Sequence, residues 1–313
     1  MNKYFFPLTI LSLVLCTACD LPSFSLLENS EATLKTNTFE LQASTEMLAS
    51  CSFLLMTDQH FTRQDTGVWY AQDTFFSWLQ TYQETTAGQD ARHLDLMLSL
   101  GDVTEDSREI EFSQYSQFLA KLKTYGIETH SIKGNHDIRS KEESNNYWDT
   151  YVQEPLFQAF SYHGVSFYLL DTSCRTLGIT QREKLERALA KDGQPKIFLT
   201  HMPLYGKPTL LYYCLPDTQE REEILRIMNQ YSVGLYISGH HHQGDITYRF
   251  TDTLSEFVAG AFNGRTSLVE TTLPRWYICS FDASTSVISI TRYAVHKSTL
   301  SVDSTLLGTF ILP

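Results

Sequence analysis

A chain of 313 residues has the length for one large domain or two small ones, and its 42% hydrophobic and 13% aromatic content fits a globular protein with a sizeable core, not a disordered one. A formal charge of −12 with no Lys/Arg run offers no electrostatic footprint for nucleic acid or anionic lipid. Bound cations would add local positive charge that this total does not register.

The N-terminus opens with the single early cation of Met1-Asn2-Lys3, and Phe5 to Leu15 is then almost entirely apolar. A basic start, a short apolar run and a small-residue end read as a secretory signal, too short for a membrane span with ordinary flanks. Leu15-Cys16-Thr17-Ala18-Cys19 resembles a bacterial lipobox, although Cys16 stands where an aliphatic residue is usual. The resemblance implies lipidation at Cys19 and an extracytoplasmic lipoprotein held at a membrane, on the periplasmic face, without spanning it; simple secretion is the alternative. Residues 1–19 are therefore expected to be a signal peptide. Residues 20–50, rich in Ser, Thr, Glu and Asn, are expected to be a flexible tether, and residues 51–313 the folded domain. Cys51, Cys174, Cys214 and Cys279 are scattered and show no metal-binding spacing. Export would permit disulfides among them, but the sequence gives no pairing.

From Ser52 onward the pattern is α/β. Phe53 to Thr57 is an apolar strand that runs into Asp58. Val68 to Thr85 has helical spacing, and Leu94 to Leu100 is a strand ending at Gly101-Asp102. A helix over Ile110 to Tyr125 leads to a strand over Glu128 to Lys133, which ends at Gly134-Asn135-His136-Asp137. Phe157 to His163 and Val165 to Asp171 form a hairpin about Gly164, followed by a helix over Thr180 to Asp192. Lys196 to Thr200 is a strand ending at His201. A helix over Asp217 to Tyr231 precedes a strand over Val233 to Ser238, which ends at Gly239-His240-His241-His242. Strands at Thr247 to Phe250, Trp276 to Asp282, Val287 to Tyr293 and Leu306 to Leu312 complete the chain. Five apolar strands thus end in clusters of Asp, Asn or His, and, besides His241, five of the ten histidines (His60, His136, His201, His240 and His242) lie at these ends. Ligands of α/β sheets collect at the carboxyl ends of strands, so this is the expected site.

Asp58-Gln59-His60, Gly101-Asp102, Gly134-Asn135-His136-Asp137, His201 and Gly239-His240-His241-His242, in this order, resemble the calcineurin-like metallophosphoesterase family over roughly Phe53 to Arg249. The resemblance implies a four-layer α/β/β/α sandwich and hydrolysis of phosphomonoesters or phosphodiesters. It also implies a dinuclear centre of two divalent ions (Mn, Fe or Zn) with a bridging hydroxide. By the same match Asp58, His60, Asp102 and His242 hold one ion and Asp102, Asn135, His201 and His240 the other. Two ions about 3.5–4 Å apart need such a bridging carboxylate. Period-two alternation in an extended segment would turn Gln59 and His241 away from the ligands. Gly134 and Gly239 are expected to take unusual turn dihedrals, and Pro203 to stiffen the loop that carries His201. The resemblance makes His136 the residue that faces substrate, as a general acid or a phosphoryl clamp. Glu105, Asp106 and Asp137 are candidates for supporting roles; Glu105 or Asp106 would orient His136 or cap the following helix.

The chain departs from two branches of the family. Glu105 replaces the Tyr found three residues after the bridging Asp in purple acid phosphatases, and the Gly-Asp-x-x-Asp-Arg-Gly run of Ser/Thr protein phosphatases is missing. The pattern looks most like compact bacterial members, including cyclic nucleotide phosphodiesterases. Substrate choice falls to loops, where Tyr205 is a candidate to stack on a base and Arg265 to bind a distal phosphate. A small phosphorylated substrate, a lipid or nucleotide diester of the cell envelope, and a non-catalytic surface lipoprotein that keeps the fold are the alternatives. No protein partner is expected.

Overall fold

The structure, a computed structural model, describes residues 47–61, 71–140, 142–206, 213–266 and 271–313. The signal segment with Cys19, most of the tether, and Lys207 to Tyr212 lie outside the described residues.

β1 (Cys51–Met56) is buried along its whole length and sends alternate side chains to two different cores. Phe53 and Leu55 face one way, Leu54 and Met56 the other, as a pleated strand requires. β2 (Leu94–Ser99) and β3 (Glu128–Ser131) pair parallel to it in the order β1-β2-β3. On the other side, β12 (Arg275–Asp282), β13 (Val287–Val295) and β14 (Val302–Ile311) extend the sheet by antiparallel pairing.

The second sheet has the order β4-β5-β6-β7-β9-β8. β4 (Gln158–Tyr162) and β5 (Val165–Leu169) form the expected hairpin; β5, β6 (Lys196–Leu199), β7 (Val233–Ser238) and β9 (Ser255–Val258) run parallel, and β8 (Ile246–Arg249) closes the edge. A two-stranded ribbon of β10 (Arg265–Thr266) and β11 (Thr271–Thr272) lies apart.

Three apolar clusters make the layers. Phe53, Leu55 and Leu98 of the first sheet meet Phe167, Leu199 and Ile237 of the second in a core between the sheets. α1 (Gln72–Thr85), α2 (Glu109–Thr124) and α3 (Glu142–Tyr151) cover the outer face of the first sheet. Phe112, Tyr115, Phe118 and Leu122 form the buried stripe of α2, at the three- and four-residue spacing a helix face demands. α4 (Ile179–Leu189) and α5 (Thr218–Gln230) cover the second sheet. Asp217 caps α5, its carboxylate accepting the N–H of Gln219 and Glu220. The architecture is a four-layer α/β/β/α sandwich. Cys51 and Cys279 are packed in the core between the sheets, and Cys174 and Cys279 form no disulfide among the described residues. No described helix is long and apolar enough to cross a membrane.

Candidate metal centre

The five motifs follow the carboxyl ends of β1, β2 and β3 in one sheet and of β6 and β7 in the other. The centre therefore draws on both sheets. Backbone bonds join the loops: Asp58 N–H donates to Gly101 O (2.9 Å), His60 N–H to Asp102 O (3.0 Å) and Gly239 N–H to His201 O (3.0 Å).

The motif segments are not extended, contrary to the alternation argument. Asp58, His60, Asp102 and His240 have φ of 52°, 44°, 52° and 66°. Residues with a side chain enter this left-handed region at a cost, and Asp and His tolerate it better than most. The outer residues of D-x-H converge because the backbone turns back at each of them. Gln59 does point away, donating from its buried amide to Ser99 Oγ at 2.8 Å.

The glycines also act differently from expectation. Gly101 has a φ of +90°, but Gly134 and Gly239 have no left-handed dihedral. They are needed for close approach. A Cβ on Gly134 would lie 2.2 Å from Asp102 Oδ1, and one on Gly239 would lie 1.9 Å from Thr57 Oγ1.

The seven expected ligands come together. Ligand atoms of Asp58, His60 and His242 lie within 4.8 Å of one another, as do those of Asp102, His201 and His240, and either group could hold a cation. A third set, His60, Asp102 and His136, shares a member with each and marks the join between them. Asp102 Oδ2 is 3.3 Å from His201 Nε2 and 3.9 Å from His60 Nε2, and so faces both groups. Asn135 Oδ1 lies 3.2 Å from His201 Nε2. The Nε2 atoms of His60 and His242 point at each other across 3.1 Å.

Asp58 and Asp102 are buried. Burial works against their charge, but the surrounding imidazoles outweigh it and hold both carboxyls below the usual carboxylate range. Burial likewise opposes a charge on His60 and His201, yet the carboxylates beside them push these rings up to about 10 and about 9. His240 goes the other way, down to about 3, through burial and then its neighbour His201.

The donor set fits a divalent ion. Asp58 Oδ2 accepts from Thr57 Oγ1 and His240 N–H, whereas Asp58 Oδ1 is buried and takes no hydrogen bond, 3.5 Å from His242 Nε2. A buried carboxylate oxygen is costly to leave bare. A cation among these imidazole nitrogens would satisfy it, and carboxylate, imidazole and amide oxygen together suit borderline divalent metals. His201 Nδ1–H donates to Leu100 O at 2.8 Å, which turns Nε2 toward the cluster, where a bound cation would displace the proton that the carboxylates otherwise hold on it.

His136 lies beside the centre, with Nε2 4.0 Å from Asp102 Oδ2. Its Nδ1 lies 2.7 Å from Glu105 O, and a carbonyl only accepts, so Nδ1 carries the proton. Burial first of all lowers His136 to about 4. The supporting acids divide their work. Glu105 turns its carboxylate to His60, with Oε2 2.9 Å from Nδ1, and meets His136 chiefly through its backbone carbonyl. Neither Glu105 nor Asp106 caps α2; the carboxylate of Glu111 accepts the N–H of Asp106 and Arg108 there. Asp106 instead holds Arg139 at 3.1 Å. Asp137 is buried and accepts the N–H of Val103, Thr104 and Gly134, tying two ligand loops together.

The two loop candidates are differently placed. Tyr205 is stacked on Tyr248 with centroids 6.1 Å apart and lies beneath the Arg221 guanidinium. Arg265 sits on the small ribbon, its N–H donating to Thr272 Oγ1. His241 is buried against Tyr213, whose ring centroid is also 6.0 Å from that of His240.

Two residues near the site gave no sequence signal. Arg139 Nη2 reaches His136 Nε2 at 2.9 Å. The turn over His136–Ile138 is a 3-10 helix, in which residues three apart stack, and this returns Arg139 to His136. Glu256 on β9 accepts the N–H of Leu204, Tyr205 and Gly206, which anchors the loop after His201.

The calcineurin-like phosphoesterase family model matches residues 51–244. No curated protein matches the sequence. Among solved structures, the chain is similar to the purple acid phosphatase PPD1 from yellow lupin (Lupinus luteus) seeds. The TM-score is 0.59 and the identity 16%, over 84% of this chain and 54% of that one. It is also similar to GAP50, the anchor in the inner membrane complex of Plasmodium (TM-score 0.52, identity 13%, 83% and 89% covered). A 5'-nucleotidase from Candida albicans matches at a TM-score of 0.49 and 14% identity, over 85% of this chain and 53% of that one. The chain spans about half the length of the phosphatase and of the nucleotidase, and at these identities the likeness is one of fold. With the family model covering well over half of the sequence and ending just past the last histidine motif, the chain belongs to the calcineurin-like phosphoesterase family.

Proposed function

We propose that the chain hydrolyses phosphate esters at a two-cation centre, with Asp58, His60, Asp102 and His242 around one ion and Asp102, Asn135, His201 and His240 around the other. The observation that carries this is the position of Asp102 Oδ2, within 4 Å of imidazole nitrogens from both groups. When bound, divalent ions such as Mn, Fe or Zn activate water and neutralise phosphoryl charge.

The chain's own residues orient and protonate. Glu105 and Leu100 fix the rings of His60 and His201 from behind, so that Nε2 of each faces the centre. His136 holds its Nδ1 proton on Glu105 O and presents Nε2 to the reaction. In its neutral form that atom accepts. To serve a poor leaving group it must first take up a proton, and the nearby Asp102 and Glu105 carboxylates would stabilise the imidazolium.

The N-terminal segment supports an extracytoplasmic address with a lipid anchor at Cys19, and hence a small phosphorylated compound outside the cytoplasm as substrate. An envelope lipid or nucleotide diester is the narrower alternative.

The test is metal analysis joined to hydrolysis of p-nitrophenyl phosphate and bis-p-nitrophenyl phosphate. About two metal equivalents with turnover of either ester is expected. A fully loaded protein inactive on both would sink the enzymatic reading and favour a surface module that retains the fold. His136→Ala should keep its metal and lose about 100-fold or more on an alkyl phosphate, and much less on the nitrophenyl ester, whose leaving group needs no proton.

A further inference from the structure

Arg139 stands at the open side of the centre. Its side chain is 44% exposed, while the ligands behind it are mostly buried. It is held at three points: Nη1 donates to Glu105 O at 3.0 Å and to Asp106 Oδ1 at 3.1 Å, and the backbone N–H donates to Ser107 Oγ at 2.7 Å. Nη2 meets His136 Nε2 at 2.9 Å. Among the described residues, Nε–H and the second Nη2–H take no partner. The guanidinium is thus fixed on one edge and open on the other, beside the atom that the proposed reaction assigns to the substrate.

Donation to His136 Nε2 cannot persist once that atom engages a substrate. The Nη2–H then needs a new acceptor, and the group arriving is a phosphoryl group. A guanidinium is permanently charged and planar, and its adjacent N–H donors match phosphoryl oxygens. A phosphomonoester brings three non-bridging oxygens and, near neutral pH, two negative charges, whereas a diester brings two such oxygens and one charge.

We propose that Arg139 is a substrate-binding residue that exchanges its hydrogen bond to His136 for a non-bridging phosphoryl oxygen, and that it selects dianionic phosphomonoesters over diesters. This rests on the phosphoesterase reading for its substrate, but the anion site itself does not require turnover.

The experiment compares wild type, Arg139→Ala and Arg139→Lys, all metal-loaded, with Arg226→Ala as a control for loss of one surface charge. Inorganic phosphate binding is measured by calorimetry, and kcat and KM are measured for p-nitrophenyl phosphate and its bis ester. In Arg139→Ala, phosphate affinity falls and the monoester KM rises by about 10–100-fold, as for a lost charged hydrogen bond, while the diester KM changes by less than about threefold. Lysine restores part of the affinity, because it keeps the charge without the fork. Unchanged phosphate affinity in Arg139→Ala overturns the proposal. So does an equal fall in kcat on both esters with KM intact, which would make Arg139 a positioning residue for His136. If loaded wild type hydrolyses neither ester yet Arg139→Ala still weakens phosphate binding, the anion site stands and the enzymatic reading fails.

Discussion

Glu105 places Oε2 2.9 Å from Nδ1 of His60, the ring nitrogen opposite the one that faces the cluster of candidate ligands. A carboxylate behind a ligand imidazole fixes both the tautomer and the ring orientation, and raises the basicity of the coordinating nitrogen. Glu105→Ala is therefore expected to weaken metal binding by about 10–100-fold, the usual cost of losing such a partner. Glu105→Gln should lose less, since it keeps a polar group of the same shape behind the ring and gives up only the charge. Equilibrium titration of the apo-protein with Mn or Zn checks this, and equal affinities for wild type and Glu105→Ala would remove Glu105 from the centre. The same alanine variant leaves the Glu105 carbonyl, and so the bond to His136, in place.

Much of this centre was legible because the chain repeats one device. An apolar strand ends, and a short polar loop carries the candidate ligands; both signals survive in a single sequence. Orientation within those loops was not legible. The alternation rule applies to extended backbone, whereas Asp58, His60 and His240 are left-handed, a property no residue pattern displays. Gly134 and Gly239 were visible as glycines, but their reason is contact with the Asp102 carboxylate and the Thr57 hydroxyl, from motifs far away in sequence. Arg139 was hidden because its partner depends on a single 3-10 turn. Among the elements, α3 gave no apolar stripe: Glu142–Tyr151 is largely polar, and it is anchored by Trp148, which is fully buried and donates from Nε1 to Glu154 O.

Gly134→Ala tests the close-approach argument. The added methyl would sit 2.2 Å from Asp102 Oδ1 and 2.3 Å from Asp102 N, and backbone cannot yield as a flexible side chain would. Either the loop after β3 or the Asp102 carboxylate must move. Loss of activity by about 100-fold or more is expected, since displacements near 1 Å at a catalytic site have costs of that size. Gly193→Ala is the control, because a Cβ there meets nothing within 4 Å. Both variants should be compared in kcat/KM and in metal content.

Asp137→Asn should loosen the same region without touching a candidate ligand. Its two oxygens accept three backbone N–H groups and the Thr104 hydroxyl, all from the loops of Asp102 and Gly134. An amide nitrogen in place of one oxygen would face donors with a donor. At about 1–3 kcal/mol for each buried group left unpaired, a clear loss of stability is expected. Chemical denaturation measures it, and an unchanged midpoint would show that the loops are held by other means.

Glu256 supplies a pH dependence remote from the ligands. It is fully buried on β9, and burial pushes its carboxyl up from 4.5 to about 7 against the opposing pull of the Tyr205, Gly206 and Leu204 N–H groups. The folded state therefore holds the proton more tightly than the unfolded state. The resulting stability is complete below about pH 4.5 and is lost as pH rises through about 7. The amount is on the order of 3 kcal/mol, at 1.36 kcal/mol per pH unit. Glu256→Gln cannot titrate, so the stability of wild type relative to this variant should decline between pH 4.5 and 7 and level off above it. Urea unfolding at intervals across that range gives the curve. A flat difference would mean that the three N–H groups hold Glu256 ionised throughout, and that the loop following His201 is anchored by a permanent charge.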